Sequence, residues 1–481
     1  MIGSLEQERA AFESAHPAYD AAAVALLRAG EYARLDARGQ TYLDYTGGGL
    51  YAASQVEKHA AILANGVFGN PHSNNPTSLA STALVEAARD AVLRHLNADS
   101  AEYDVVFTQN ASGALKLVGE AYPFSDDSCY MISFDNHNSV NGIREYAHRA
   151  GAMVSYLSVH KPELRLDDVV VAREITRPAC GNRLFAYPAQ SNFSGVKHSL
   201  DWVDLARRRG WDVLLDCAAF APTNRLDLSV VKPDYVPLSF YKMFGYPTGV
   251  GALVARHEAL AKLCRPWFAG GTITLASVQS GQHQLAPGHT GFEDGTVDYL
   301  GLPAVTLGLA HLAAVGMDSI QDRVMALASW LLRWMRDTTH ANGAPLVRVF
   351  GPSTTDARGS TIAFYLLDPE GDVHDVDAIE ARAGEEGISV RTGCFCNPGD
   401  GEIAHNITAS DMEACFDHPQ TEPTQPVTLQ QCQRLIEDAS GKVPNTIRAS
   451  LGIASDFGDV WRFARFAEGY LDRPVGPRPV R

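Results

Sequence analysis

The sequence predicts an α/β protein: a mainly parallel sheet covered by helices on both faces, joined to a smaller α+β domain. Three observations support this. Short apolar runs alternate with helical patterns between residues 105 and 255, the order that builds parallel sheets through right-handed crossovers. The run 211–220 is apolar apart from Asp212 at its start and Asp216, the one carboxylate at the strand's end, as a strand buried on both faces would be. A chain of 481 residues also exceeds the usual single core. The divisions expected are residues 1–50, a segment packing with the small domain; 51–334, the large ligand-binding domain; and 335–481, the small domain with a cysteine loop.

In order along the chain, the first 30 residues read as helical and end at Gly30. Tyr42-Leu43-Asp44-Tyr45 reads as a short strand, and Thr46-Gly47-Gly48-Gly49-Leu50 as a loop where backbone can approach a ligand closely. A helix is expected over 86–96 and a strand over 105–108. The turn Gln109-Asn110-Ala111-Ser112-Gly113-Ala114 then enters a helix over 115–121. A strand, a small-residue turn and a helix start leave unpaired N–H groups facing an anion, although an ordinary capped turn has the same spacing. Residues 130–134 form the next strand, with His137 just beyond its end, and 184–188 lead into Gln190-Ser191-Asn192-Phe193-Ser194-Gly195. After 251–255 the pattern loosens as far as Gly291. A long helix is expected from near Pro303, followed by strands at 346–349, 361–366 and 388–391.

The most informative stretch is Ser239-Phe240-Tyr241-Lys242-Met243-Phe244-Gly245. A lone lysine more often lays its stem across an aromatic patch. An ammonium in dry aromatic surroundings, however, loses hydration, its pKa falls, and the free amine can capture a carbonyl as a Schiff base. Asp216 at a strand end, upstream of that lysine, is placed to pair with a pyridinium nitrogen. Together they are the two protein groups that pyridoxal phosphate most needs.

The stretch around Lys242 resembles the cysteine desulfurase branch of the class V, fold type I pyridoxal-phosphate enzymes, and most closely the desulfurase domain of molybdenum cofactor sulfurases. The likeness recurs in Val67-Phe68-Gly69-Asn70-Pro71-His72-Ser73, Asn136-His137-Asn138-Ser139-Val140, Phe292-Glu293-Asp294-Gly295-Thr296 and the loop from Arg391 to Gly399. It implies a fold type I architecture with a seven-stranded, mainly parallel sheet in a homodimer. It also implies site roles. Ala111, Ser112 and Ser239 would hold the cofactor phosphate, with Gly295 and Thr296 reaching the phosphate of the neighbouring subunit; His137 would stack on the ring, and Asp216 would pair with its nitrogen. Asn192 would meet the phenolic oxygen and the substrate, Arg448 would bind the substrate carboxylate, and Tyr241 would stand where many desulfurases have histidine.

The loop Arg391-Thr392-Gly393-Cys394-Phe395-Cys396-Asn397-Pro398-Gly399-Asp400-Gly401 sets two thiols beside an arginine between Gly and Pro residues. An exposed thiol near positive charge is a nucleophile, because the thiolate is the reactive form. The resemblance aligns Cys396 with the persulfide-forming cysteine. Its Gly-Ala-Cys continuation is replaced here by Gly399-Asp400-Gly401, so the relay of sulfur onward would differ. Cys394, Cys396, His405, Cys415 and His418 cluster in sequence but match no standard zinc spacing, so no metal is expected.

The expected activity is therefore conversion of L-cysteine to L-alanine with sulfur held on Cys396. A carbon–sulfur lyase or a transaminase would use the same cofactor site, and a non-catalytic scaffold would leave Lys242, Asp216 and Arg448 without a purpose. The related sulfurases continue into an acceptor domain, so a separate acceptor, a protein or the molybdenum cofactor, is expected. A net charge of -16 argues against a nucleic-acid partner. The acidic start does not fit a signal peptide, no apolar run is long enough to span a membrane, and the eight scattered cysteines read as reduced thiols of a cytoplasmic protein.

Overall fold

The structure, a computed structural model, describes residues 2–177, 181–416 and 428–476. Its largest sheet has seven strands: β1 (Tyr103–Thr108), β2 (Cys129–Ser133), β3 (Met153–Leu157), β4 (Arg183–Pro188), β5 (Asp212–Asp216), β6 (Tyr235–Ser239) and β7 (Gly251–Arg256). Their order across the sheet is β1-β7-β6-β5-β4-β2-β3. Every pair is parallel except the two made by β7. The connection 240–250 falls short of the dozen or so residues that a parallel crossover needs, so β7 returns antiparallel.

The apolar runs are continuous because both faces are covered. Val105, Phe107, Phe185, Tyr187, Val213 and Leu215 enter one core, while the intervening Val106, Leu184, Ala186 and Leu214 enter another on the opposite face. That is the period-two side-chain alternation of a strand, with no solvent face left for polar residues.

A smaller antiparallel sheet takes Val347–Phe350, Thr361–Leu366, Thr446–Ser450 and Arg391–Gly393 in that order. The strand expected at 388–391 is in fact two. Ile388–Ser389 pairs with Thr41–Tyr42, and the chain passes at Val390 into Arg391–Gly393 of the other sheet. Asp44 also bridges Ser450, so the N-terminal segment is stitched to the small domain through backbone. Its side chains follow: Phe12, Val24 and Leu43 share a core with Leu331, Phe364 and Phe463.

Local signals explain where elements differ from expectation. The helix expected over 86–96 begins at Pro76, because Asn75 caps it by accepting from Ser78 N and Pro76 suits the first turn. The first 30 residues form two helices, Leu5–Ala15 and Ala21–Glu31, capped by Ser4 and Asp20, and Gly30 lies inside the second instead of ending it. The long helix from Pro303 breaks at Gly316, whose φ of 87° lies in the left-handed region, giving Leu302–Val315 and Met317–Asp337.

The cysteines need one correction. Cys415 and Cys432 are joined as a disulfide, since helices Ala409–Phe416 and Leu429–Ser440 pack side by side and bring their Cα atoms to 5.2 Å. Cys217, Cys264, Cys394 and Cys396 are free thiols.

Candidate active site

The C-terminal ends of β5 and β6 and the start of helix Ala111–Ala121 surround one cavity, lined among others by Ala111, Ser112, His137, Asn192, Asp216, Ser239, Tyr241 and Lys242. Such strand ends are where open α/β sheets bind ligands. The turn into the helix is built around Asn110, whose Oδ1 accepts from Gly113 N at 2.9 Å, while Ser239 Oγ accepts from Ala111 N at 3.0 Å. Gly251 at the start of β7 lets the turn sit close, because a Cβ there would lie 2.5 Å from Asn110 Cα. Ser112 is exposed at the helix start and its hydroxyl meets that of Ser139 at 2.6 Å.

Lys242 sits on the short helix Phe240–Phe244, half-buried, and its Nζ makes no hydrogen bond among the described residues. Burial lowers its pKa; Asp216 and Cys396 oppose the shift, while Arg448 and Arg391 reinforce it. Asp216 ends β5, buried, with Oδ1 accepting from Ala218 N at 2.9 Å. Burial and the charge of Lys242 likewise lower the His137 pKa, and its Nδ1 accepts from Ser139 N at 3.1 Å, so the neutral ring carries its proton on Nε2. An amine without a partner, a buried strand-end carboxylate and a helix-start turn within one cavity fit pyridoxal phosphate.

The cysteine loop is fastened over this cavity. Phe395 and Cys396 both adopt left-handed backbone, with φ of 57° and 55°, which is costly for side-chain-bearing residues and is found chiefly where surroundings enforce it. Here the surroundings are hydrogen bonds: Asn138 N donates to Cys396 O at 2.7 Å, and Asn192 Nδ2 donates to Phe395 O at 2.7 Å. Asn397 caps the following helix, and its Nδ2 reaches Asp135 O at 2.8 Å and Asn192 Oδ1 at 3.0 Å. Cys396 is exposed, whereas Cys394 is partly covered and burial raises its thiol pKa. Asn192 thus spends its side chain largely on the loop that carries Cys396.

Arg448 is buried beneath Phe395, its guanidinium carbon 4.4 Å from the ring centre. Its Nη1 donates to Asn192 O at 2.9 Å and its Nη2 to Asp44 Oδ1 at 3.1 Å. Arg391 grips the same carboxylate, with Nε 2.9 and 3.0 Å from its two oxygens and Nη2 at 2.6 Å. Sequence reasoning gave no site role to this ion pair, nor to Asn110, Asp135 and Gln190, which also line the cavity. For Asp44 a signal existed: an acid within a short apolar segment, three residues before a run of three glycines.

Gly295 and Thr296 do not join this group. Thr296 lines a neighbouring hollow with Gln109 and Gly113, on another side of the turn, and accepts from Asn70 Nδ2 at 3.2 Å. The cluster weighed for zinc is dispersed as well. Cys415 is in the disulfide, both His405 ring nitrogens meet hydroxyls, those of Tyr365 at 2.5 Å and Thr446 at 2.7 Å, and His418 lies outside the described residues.

The aminotransferase class-V family profile matches residues 41–463. Molybdenum cofactor sulfurase from Oryza sativa subsp. japonica is 33% identical over 489 residues, covering 93% of this chain and 58% of that protein. The Bos taurus sulfurase is 35% identical over 469 residues, covering 92% of this chain and 51% of its own length. The chain thus spans about half the length of the sulfurases it matches. Among solved structures, apo cysteine desulfurase from Thermococcus onnurineus NA1 superposes with a TM-score of 0.74 at 21% identity, covering 92% of this chain and 96% of that one. The cystine C-S lyase C-DES, in complex with cysteine persulfide, gives 0.67 at 18% identity, with 91% and 98% covered.

Proposed function

The chain belongs to the aminotransferase class-V family, and we propose that it is a cysteine desulfurase, converting L-cysteine to L-alanine with the sulfur held as a persulfide on Cys396. Pyridoxal phosphate, its cofactor, supplies an aldehyde that captures amines and a ring that draws electrons from the substrate Cα. Ala111, Ser112 and Ser239 would hold its phosphate, His137 would lie along its ring, and Asp216 would keep its nitrogen protonated. Lys242 would anchor the aldehyde and, as a base of lowered pKa, would take the proton from the substrate Cα. Arg448 holds the substrate carboxylate beside Asn192. Cys396 Sγ attacks the substrate sulfur; the S–S bond forms as the Cβ–S bond breaks, its electron pair stays with the carbon skeleton, and Cβ takes a proton and Cα regains one to give alanine. Burial keeps the Tyr241 phenol protonated, so it can donate a hydrogen bond but is no base at neutral pH.

The observation that carries this reading is Cys396 itself. An exposed thiol in a pair of left-handed residues, tied through Asn138 and Asn192 to the walls of the lysine cavity, is a nucleophile held in place. Incubation of the cofactor-loaded protein with L-cysteine tests it: alanine without pyruvate or ammonia is the expected outcome. Pyruvate and ammonia would mean a lyase, a keto-acid requirement a transaminase, and no product a scaffold.

Three finer points belong to the same proposal. The acceptor is the molybdenum cofactor or a protein, supported by the sulfurase relatives. The enzyme is a homodimer in which Gly295 and Thr296 complete the partner's phosphate site, supported by their lying outside this chain's own cavity and by the exposed Trp267, Phe268 and Leu275 nearby. Its location is cytoplasmic, supported by the exposed free thiol of Cys396.

A further inference from the structure

Two arginines and one carboxylate meet at the edge of the active site, and their arrangement bears on which substrates can enter. Arg448 is buried and Asp44 nearly so, their side chains 2% and 11% exposed, whereas the Arg391 side chain is 49% exposed. Arg391 and Asp44 both act on Tyr241, and Arg391 and Arg448 both act on Lys242, so the trio lies within electrostatic reach of the reacting groups. Asp44 occupies the Arg391 guanidinium edge-on through Nε and Nη2 and takes one nitrogen of Arg448. Of the remaining Arg448 nitrogens, Nη1 goes to Asn192 O and Nε has no partner among the described residues.

The backbone is fitted to this pair. A Cβ at Gly47 would come within 2.5 Å of Asp44 Oδ2 and 2.7 Å of Arg391 Nη2, and one at Gly48 would meet the Tyr241 ring at 3.6 Å. Gly47 N and Gly48 N both donate to the main-chain carbonyl of Asp44, so the glycine run turns tightly just after the residue whose carboxylate the two arginines share. Two cations against one anion leave one net positive charge, matched to a substrate with one carboxylate. A second anionic group near the substrate Cβ would find the Arg391 guanidinium already filled, with the Asp44 carboxylate beside it.

We propose that Asp44 is a specificity-determining residue: by filling Arg391 it restricts the site to amino acids with a single anionic group and turns away those with a second acid on the side chain. The inference rests on the reading in which Arg448 receives the substrate carboxylate. It also gives Arg391 a role apart from the cysteine loop, as the cation that Asp44 withholds from substrates.

L-aspartate, which carries a carboxylate where L-cysteine has its thiol, is the probe. Its binding to the cofactor-loaded enzyme, relative to that of L-cysteine, is read from the absorbance change each produces in titration. In Asp44→Asn the freed Arg391 should improve L-aspartate relative to L-cysteine by about tenfold or more, the scale of one charge-assisted hydrogen bond. Asp44→Glu should keep the wild-type ratio, and Asp44→Asn combined with Arg391→Gln should lose the gain. Arg391→Gln alone, a change at a half-exposed side chain, leaves Asp44 opposing Arg448 and should move the ratio further against L-aspartate. An unchanged ratio in both Asp44→Asn and Arg391→Gln, with the two ligands weakened alike, would overturn the proposal and leave Asp44 a structural ion-pair partner. The titration needs no turnover, so a failure to make alanine from L-cysteine would count against the desulfurase reading without deciding this one.

Discussion

Lys242 and Cys396 acquire their chemistry from what surrounds them. With its pKa lowered by burial, the lysine amine is free over a range that begins below its ordinary 10.5, so any step that needs the free base should switch on as pH rises through that lowered value. Lys242→Ala should abolish alanine formation from L-cysteine, for want of the base at the substrate Cα. Lys242→Arg should not restore it, because guanidinium stays protonated and cannot condense with an aldehyde; turnover by either variant at the wild-type rate would refute the assignment. Gly47 is a second sensitive point: Gly47→Ala drives a methyl into the Asp44–Arg391 pair, and overpacking of this kind costs about 1–3 kcal/mol. A lowered thermal midpoint together with weaker L-cysteine binding is the expected result, and an unchanged protein would contradict the contact.

At the level of elements, the strand-end positions of Asp216 and His137 could be read from sequence because an apolar run followed by one polar residue marks where a buried strand stops. The pairing of Asp44 with Arg391 and Arg448 could not, since the two arginines lie 347 and 404 residues from it and no local pattern encodes such contacts. For the same reason the 388–391 strand was read as one piece, because its two halves are set by different partners. Element packing also makes stability depend on pH. Asp234 accepts from Val213 N at 2.8 Å between β5 and β6, and burial raises its carboxyl from the ordinary 3.8 to about 6. The folded state therefore holds this proton more tightly than the unfolded chain. The site favours folding below about pH 4, and that contribution is lost as pH rises towards 6, by roughly 3 kcal/mol at most. Denaturant titrations across this window should show Asp234→Asn losing that slope relative to the wild type; an identical slope would contradict the placement.

For the whole molecule, the homodimer proposal makes cofactor retention depend on association. If Gly295 and Thr296 complete a phosphate site across an interface, dilution that separates subunits should release pyridoxal phosphate, since the two equilibria are linked by mass action. Sedimentation with absorbance detection reads both at once, and a monomer that keeps the cofactor with unchanged affinity would contradict the shared site. The seven-stranded architecture was legible because both cores draw on alternate residues of the same strands. The break at Gly316 and the start of a helix at Pro76 were less so, because each depends on one or two residues instead of a sustained period.

The most direct test is intact-mass analysis of the cofactor-loaded wild type, Cys396→Ser and Cys394→Ser after exposure to L-cysteine, with alanine measured alongside. One sulfur should be retained on the wild type and on Cys394→Ser, both with alanine formed. Cys396→Ser should carry none and make little alanine while still showing the absorbance change on binding, because a serine hydroxyl is scarcely ionised at neutral pH. Sulfur retention and full alanine formation by Cys396→Ser, with Cys394→Ser inactive, would contradict the placement of the nucleophile.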